Sequence, residues 1–173
     1  MIYKVKCVYA GSFDPITVGH LDIIRRATVA FDSVIVAVLN NKAKRPAFSV
    51  EQRLEFIRRA THGMPGVSVD AFDGLLVDYL RKVDAHVILR GLRATGDFES
   101  ETQTAAMNRM LYPEAETMFM MTSPQYACVS STAVREVASF GGDISELVPE
   151  SILDMVNRGF DEYYHRMARG EAR

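Results

Sequence analysis

Short apolar runs that alternate with segments of helical periodicity most strongly limit the folds open to this 173-residue chain. The predicted strands cover residues 5–10, 33–39, 67–72, 86–89 and 117–121. Residues 33–39 are almost continuously apolar and rich in β-branched side chains, which is typical of a parallel strand buried on both faces. Because the strands alternate with helices, we expect a single-domain, doubly wound α/β fold with one parallel, five-stranded sheet.

Amphipathic segments between the strands predict the helices. They are expected at residues 20–31, after Ser49, at 75–83, at 97–111 with Asp97 as cap, from Ser130 or Ser131 to Gly141, and after Pro149. Ser49 stands three residues before Gln52, the pattern of a capping box, and Val50, Leu54 and Ile57 are predicted to form the apolar face. No repeat or linker interrupts this order. We therefore expect one domain with C-terminal helices over residues 1–160, and a polar tail over 161–173.

Charge, apolar run length and cysteine content argue against several classes of protein. The net charge of −2 gives no overall positive field for binding nucleic acid. No apolar run is long enough to cross a membrane, and residues 1–6 do not resemble a secretory signal, so we expect a cytoplasmic protein. Cys7 and Cys128 lie far apart, and the four histidines lack metal-binding spacing. We expect two reduced, mostly buried thiols and no metal held by protein ligands.

The loop after the first strand is the first candidate for a ligand site, because ligands bind beyond the carboxyl ends of strands in such sheets. Residues 11–20 read G-S-F-D-P-I-T-V-G-H and lead into a predicted helix. The glycines allow close approach of a ligand, Ser12 offers a hydroxyl, and the helix start favours an anion. The pattern is not G-x-G-x-x-G, which removes the main support for a nicotinamide cofactor. Taken alone, a histidine on a helix is more often structural than functional, so His20 needs further support.

Two segments resemble motifs of the nucleotidylyltransferase superfamily. T-V-G-H at residues 17–20 is similar to its T/H-x-G-H signature, and the preceding G-x-F-D-P is shared by its members. V-S-S-T-A-V-R at residues 129–135 is similar to its I-S-S-T-x-I/V-R motif, with Val129 in place of isoleucine. Hydroxyl residues at a helix start are often only caps, but three in a row can also bind outer phosphates of a nucleotide. The resemblance implies a Rossmann-like nucleotidylyltransferase fold.

A third segment, R-G-L-R-A at residues 90–94, is placed directly after the fourth predicted strand. Paired arginines there could form a solvated salt-bridge face. The segment resembles its counterpart in the phosphopantetheine adenylyltransferase family, as do residues 44–48, 97–99, 101, 107–109 and 142–143. That resemblance implies transfer of the adenylyl group of ATP to 4′-phosphopantetheine, giving dephospho-coenzyme A and pyrophosphate in coenzyme A biosynthesis. The nearest alternative is a nicotinate or nicotinamide mononucleotide adenylyltransferase. A cytidylyltransferase is less favoured, and a nucleotide-binding regulatory module without catalysis is the alternative from a different class.

Matching positions in the family motifs imply the contacts with each substrate. 4′-Phosphopantetheine would contact Ser12, Lys44, Leu75, Leu76 and Arg90. ATP would contact Ser12, Phe13, His20, Gly91, Leu92, Arg93, Glu101, Tyr126, Ala127, Cys128, Val129, Ser130, Ser131 and Thr132. The resemblance also implies a homohexamer. Ser12 replaces a common threonine but keeps the hydroxyl, whereas Ser100 stands where relatives often carry tyrosine and leaves one aromatic contact open.

The implied reaction needs no catalytic base, because a phosphate monoester is already anionic near neutral pH. The protein must instead overcome repulsion between two anions, align them and stabilise the developing charge. We expect His20, Lys44 and Arg93 to be the catalytic residues. His20 would bind the α-phosphate, Lys44 and Arg90 the acceptor phosphate, and Arg93 with residues 130–132 the pyrophosphate. Mg²⁺ is expected to enter with ATP, because the motifs lack a carboxylate cage.

Overall fold

Five parallel strands form one sheet in the computed structural model, which describes residues 5–40 and 45–170. The strands are β1 (Lys6–Gly11), β2 (Ser33–Leu39), β3 (Val67–Phe72), β4 (Val87–Leu92) and β5 (Glu116–Met121). Their order in the sheet is β3-β2-β1-β4-β5, and every neighbouring pair is parallel. The predicted doubly wound sheet is confirmed. The strand order reverses between β1 and β4, the position at which such sheets open a crevice for ligands.

Six α-helices flank the sheet within the described residues. They are α1 (Val18–Ala30), α2 (Val50–Ala60), α3 (Leu76–Val83), α4 (Thr95–Leu111), α5 (Ser131–Ser139) and α6 (Leu153–Ala168), with short 3-10 turns at Pro124–Tyr126 and Glu150–Ile152. The predicted capping box of Ser49 and Gln52 is present at the start of α2, and Thr17 and His20 form a second one at α1. None of these helices combines the length and the apolar character needed to span a bilayer.

Side chains that alternate along the central strands build an apolar layer on each face of the sheet. Cys7 and Tyr9 of β1 belong to the larger layer, which also holds side chains of α1, α2 and α6. Val8 and Ala10 point the other way, into the smaller layer against α3. Because β1 is buried on both faces, its register with β2 and β4 is fixed, and the loop at its end starts from a rigid support.

Two predicted boundaries next to the crevice differ in the structure. β4 continues to Leu92, which pairs with Met121 of β5, so residues 90–92 lie inside the strand and not after it. α4 begins at Thr95 with Ala94 as its N-cap, and not at Asp97. The Asp97 carboxylate instead accepts the backbone N–H of Arg93 from within the first turn, at 3.0 Å. A carboxylate in a helix's first turn can bind a preceding amide as readily as an N-cap side chain does.

Two further differences concern residues far from β4. α6 continues to Ala168, so the boundary placed at residue 160 falls inside a helix. Tyr164 explains the extension, since its ring stacks on Phe160 and its hydroxyl donates to the carbonyl oxygen of Arg135 at 2.7 Å. Cys7 is buried as predicted, but Cys128 is exposed, because it lies in the loop that connects the 3-10 turn to α5.

Candidate active site

A cavity of about 460 Å³ opens where β1 and β4 end. The loop after β1 forms one wall and the start of α5 forms another. These walls touch each other, because the Ser131 hydroxyl donates a hydrogen bond to the carbonyl oxygen of Pro15, 116 residues earlier, at 2.8 Å. The two motifs found at opposite ends of the sequence therefore share one cavity.

Most of the residues predicted to bind ligand line this cavity, but not all of them do. Those on its wall are Ser12, Phe13, His20, Arg90, Gly91, Arg93, Glu101, Val129, Ser130, Ser131 and Thr132. Leu92 is buried within β4, and Tyr126, Ala127 and Cys128 are not part of the wall. Lys44 lies outside the described residues.

His20 is held in one orientation by the turn that opens α1. The backbone N–H of Thr17 donates to Nδ1 of His20 at 3.1 Å, and the Thr17 hydroxyl accepts the backbone N–H of His20. Since Nδ1 is an acceptor, the proton of the neutral imidazole lies on Nε2. Burial, together with the nearby charges of Arg93 and Arg90, lowers the pKa of His20 to about 4. At neutral pH the ring is an uncharged hydrogen-bond donor on the cavity wall.

Arg90 projects from β4 and forms a two-point ion pair with Glu101 of α4. Its Nε and Nη2 atoms donate to the two carboxylate oxygens at 2.7 and 2.6 Å, and Nη1 donates to the carbonyl oxygen of Ala10 at 2.6 Å. This arrangement fixes the plane of the guanidinium group. The Glu101 carboxylate is occupied by Arg90, so any contact with a ribose hydroxyl would use its remaining lone pairs.

Arg93 and the start of α5 provide a second group of donors. Arg93 is exposed at the rim and is held by Asp97 at 3.2 Å. Ser130 acts as the N-cap of α5, since its hydroxyl accepts the N–H of Ala133. The first backbone N–H groups of α5 are left without helical partners, which makes this end attractive to an anion.

A second cavity of about 290 Å³ adjoins the first and shares Ser12 and Arg90 with it. Its wall includes Leu39, Phe72 and Leu76, so it is partly apolar. Leu76 was predicted to contact the acceptor and lies here. Leu75, predicted with it, is exposed and is not part of the wall.

Three charged residues of the site were not assigned a role from the sequence. The buried carboxylate of Asp14 accepts the backbone N–H groups of Ala47 and Phe48 at 2.9 and 3.0 Å. Arg135 contacts the same carboxylate at 3.3 Å and the Asp14 carbonyl oxygen at 2.5 Å. Arg53 is 2% exposed and also lines the larger cavity.

A signal for Arg53 was present in the sequence. The fully buried residues of α2 are Arg53, Phe56, Ile57 and Ala60. Ile57 was predicted on the apolar face, whereas Val50 and Leu54, predicted with it, are only partly buried at its edge. The four buried positions follow the i, i+3, i+4, i+7 spacing of one helical face. An arginine at the first of them is a charged residue on an apolar face, which indicates a specific partner or site.

Comparisons with known proteins agree with this arrangement. The family model described as cytidylyltransferase-like matches residues 8–137. The phosphopantetheine adenylyltransferase of Caldanaerobacter subterraneus subsp. tengcongensis is 51% identical over 153 residues, which are 88% of this chain and 96% of that protein. The protein of the same name from Heliobacterium modesticaldum is 52% identical over 165 residues, 95% of this chain and 96% of that protein.

A solved structure supports the fold at lower identity. A candidate nicotinate-nucleotide adenylyltransferase from Vibrio parahaemolyticus has a TM-score of 0.64 and 18% identity, and the match covers 91% of this chain and 95% of that one. At this identity the likeness shows the fold alone, whereas the relatives near 50% identity decide the family. The chain belongs to the cytidylyltransferase-like family and, within it, to the phosphopantetheine adenylyltransferases.

Proposed function

We propose that this protein is the adenylyltransferase that joins the AMP part of ATP to the phosphate of 4′-phosphopantetheine, giving dephospho-coenzyme A and pyrophosphate. Relatives that carry this activity in their names are about half identical to the chain over most of its length. The single structural observation that supports the reaction best is the placement of His20, whose Nε2 is an uncharged donor, on the wall of the cavity shared by both superfamily motifs. The reaction belongs to coenzyme A biosynthesis and is reversible.

The charge of the larger cavity suits two polyanionic substrates. Its wall contains five arginines and three carboxylates, although the chain as a whole carries a net charge of −2. The arginines are Arg45, Arg53, Arg90, Arg93 and Arg135, and the carboxylates are Asp14, Asp97 and Glu101. The excess of cations is therefore local, and it lowers the repulsion between ATP and a phosphate monoester.

The donors divide into three groups along the reaction path. In the proposed complex, His20 Nε2 and the start of α1 bind the α-phosphate, where negative charge develops. Arg90 and Lys44 bind the phosphate that attacks, while Arg93 and the amides of residues 130–132 bind the departing pyrophosphate. A neutral His20 fits this scheme, since the attacking phosphate is already anionic and no group has to remove its proton. Alignment and charge stabilisation then supply the catalysis.

The adjoining cavity gives the acceptor a place for its pantetheine arm. Leu76, Phe72 and Leu39 offer apolar surface there, and Arg90 stands between this cavity and the larger one. An acceptor phosphate at Arg90 would thus point its arm away from the nucleotide. The proposed nucleotide contacts of Leu92 and of residues 126–128 rest on the family resemblance, because these residues do not line the cavity.

Magnesium is proposed to arrive as part of the MgATP substrate. The described residues contain no cluster of three or more His, Cys, Asp or Glu side chains suited to a metal. The three carboxylates on the cavity wall each contact an arginine. The donor set therefore does not fit a resident ion, and phosphate oxygens are the ligands that Mg²⁺ would use.

A panel of acceptors tests the proposed function. We expect pyrophosphate release from ATP with 4′-phosphopantetheine, and background rates with nicotinate mononucleotide and nicotinamide mononucleotide. Turnover with a mononucleotide alone would instead favour the alternative adenylyltransferase. ATP binding without turnover on any acceptor would favour the regulatory module.

Two further properties are proposals: a homohexamer, which the family resemblance implies, and a cytoplasmic location, which was expected from the sequence. α4 has 17 residues, none of them buried, and it exposes Met107 and Met110, while β5 exposes Met118 and Met121. An uncovered apolar face of this kind supports association between copies of the chain. Light scattering would return about six times 19.3 kDa for the hexamer.

A further inference from the structure

Arg53 is a charged side chain buried beneath the loop that follows β1. It is 2% exposed, and it starts from the first turns of α2. Arginine is rarely buried to this degree without a partner or a functional reason, because removing its charge from water costs several kcal/mol. The surroundings of the guanidinium group therefore indicate what the residue does.

The guanidinium group of Arg53 joins the segment before α2 to Ser12, which lies on the cavity wall. Nε donates to the carbonyl oxygens of Phe48 and Ser49, at 3.1 and 3.3 Å. Nη1 donates to the carbonyl oxygen of Ser12, 41 residues earlier, at 2.9 Å. A hydrogen bond to the Ser12 carbonyl fixes the peptide plane between Ser12 and Phe13, and with it the direction of the next backbone N–H.

The charge of Arg53 is not cancelled by a close carboxylate. No Asp or Glu of the described residues lies within 4.0 Å of its guanidinium nitrogens, whereas Arg90, Arg93 and Arg135 each have such a partner. Nη2 has no acceptor within the described ranges, and no fully buried side-chain nitrogen there lacks one. Nη2 therefore keeps some access to solvent, and the cavity is the open space that Arg53 lines.

Burial lowers the pKa of Arg53, and the charges of Asp14 and Glu51 oppose that shift. A guanidinium group remains protonated at neutral pH even so. Its positive charge then acts across a medium of low dielectric constant, directly behind the residue predicted to contact both substrates. This setting makes the charge more effective than that of an exposed arginine.

We propose that Arg53 is a positioning residue of the adenylyl-transfer site: it holds the Ser12 peptide in the orientation that binds phosphate, and behind it adds a positive charge that no carboxylate in residues 5–40 or 45–170 pairs within 4.0 Å. The inference rests on the proposed function. It extends the binding site to a helix that carries none of the family motifs.

Replacement of Arg53 by methionine and by lysine tests this role. Methionine fills similar space without charge or donors, and we expect the Kd for ATP and the KM for 4′-phosphopantetheine to rise by about tenfold or more, as for loss of a hydrogen bond to a charged group. Lysine keeps the charge but cannot reach three carbonyl oxygens with a planar fork. We expect Arg53→Lys to remain folded and to recover only part of both constants.

Arg59→Met is the matched control, since Arg59 lies on the same helix, is exposed and pairs with Glu55. It should leave binding and turnover at wild-type values. Calorimetric titration with ATP and with inorganic pyrophosphate gives a readout that does not depend on the acceptor. Failure of the wild type to adenylylate 4′-phosphopantetheine would count against the proposed function. The ATP titrations would still test the role of Arg53 in nucleotide binding, because they do not depend on the acceptor.

Two outcomes would overturn the inference. One is a folded Arg53→Met protein whose ATP affinity and kinetic constants equal those of the wild type. The other is an Arg53→Lys protein that does not fold, because the side chain would then serve the fold alone. An Arg53→Met protein with normal kinetics but a lowered melting temperature would count as the first outcome and would also overturn the inference.

Discussion

The backbone N–H of Thr17 donates to Nδ1 of His20 over 3.1 Å, and this contact decides which ring nitrogen carries the proton. The donor on Nε2 is thereby directed by the N-terminal turn of α1. A capping interaction that stabilises the helix also sets the tautomer of the residue proposed to stabilise the transition state.

His20→Ala should lower kcat by about 100-fold or more, the loss typical of removing one oriented donor to a developing charge. The fold should persist, because the Thr17 hydroxyl still caps α1. Pyrophosphate release and circular dichroism measure the two effects, with the exposed His165→Ala as control. A kcat close to the wild-type value would exclude the proposed role of His20.

Stability between pH 4 and 6.5 should depend on His20. Its pKa falls from 6.5 in the unfolded chain to about 4 in the folded protein, so the unfolded chain binds more protons in this window. The stability linked to neutral His20 is thus fully present above pH 6.5 and is lost as the pH falls towards 4. Urea denaturation of the wild type and of His20→Gln at pH 7 and pH 5 should show a smaller decline for the variant. Equal declines would contradict the lowered pKa.

Arg90→Lys should mainly raise the KM for 4′-phosphopantetheine, by about tenfold, because a lysine cannot form the two-point pair with Glu101 and also reach the acceptor phosphate. The KM for ATP should change little. Initial-rate kinetics with each substrate varied in turn separate the two, with the exposed Arg81→Lys as control. If only the KM for ATP rose, the two anion sites would be reversed.

Asp14→Asn should destabilise the protein by about 2–4 kcal/mol, because the buried carboxylate receives two backbone N–H groups and Arg135. An amide offers one acceptor oxygen in place of two. Urea denaturation measures the change, and the exposed Asp161→Asn serves as control with an expected effect within 0.5 kcal/mol or so. Equal unfolding free energies for wild type and Asp14→Asn would show that the loop contacts carry little stability.

Gly159→Ala should destabilise the protein by about 1–3 kcal/mol, because the added methyl group would lie 2.6 Å from Cε1 of Phe48. Gly96→Ala is the matched substitution in a helix with open space around the new carbon. It should be neutral or stabilise by up to about 1 kcal/mol. Thermal denaturation compares the two. A similar loss in both would point to backbone effects and not to the contact with Phe48.

Strands and their order of alternation were predictable because the apolar, β-branched runs are local features. Ser33–Leu39 has the predicted bounds, and all five strands were found. Helix and strand ends were harder, since pairing and packing with distant residues decide them. β4 gains Leu92 by pairing with Met121, and α6 gains its last two turns by contact with Phe160 and the α5 backbone.

In the candidate site, too, local features were predictable from the sequence and contacts between distant residues were not. The motif residues could be named from the sequence, and most of them share one cavity. The pairing of Arg90 with Glu101 could not be read in advance, because one residue lies on a strand and the other on a helix. Asp14 also escaped assignment, since its partners Ala47 and Arg135 are 33 and 121 residues away.

By itself, the sequence determined the alternating α/β architecture and the family. Both follow from residues that are close together in the chain: the spacing of apolar residues indicates strands and helices, and the family motifs are contiguous. Only the tertiary structure decided the protonation site of His20, the partner of each arginine and the burial of Arg53. Those properties depend on the dielectric surroundings and on hydrogen-bond partners that meet only when distant segments fold against each other.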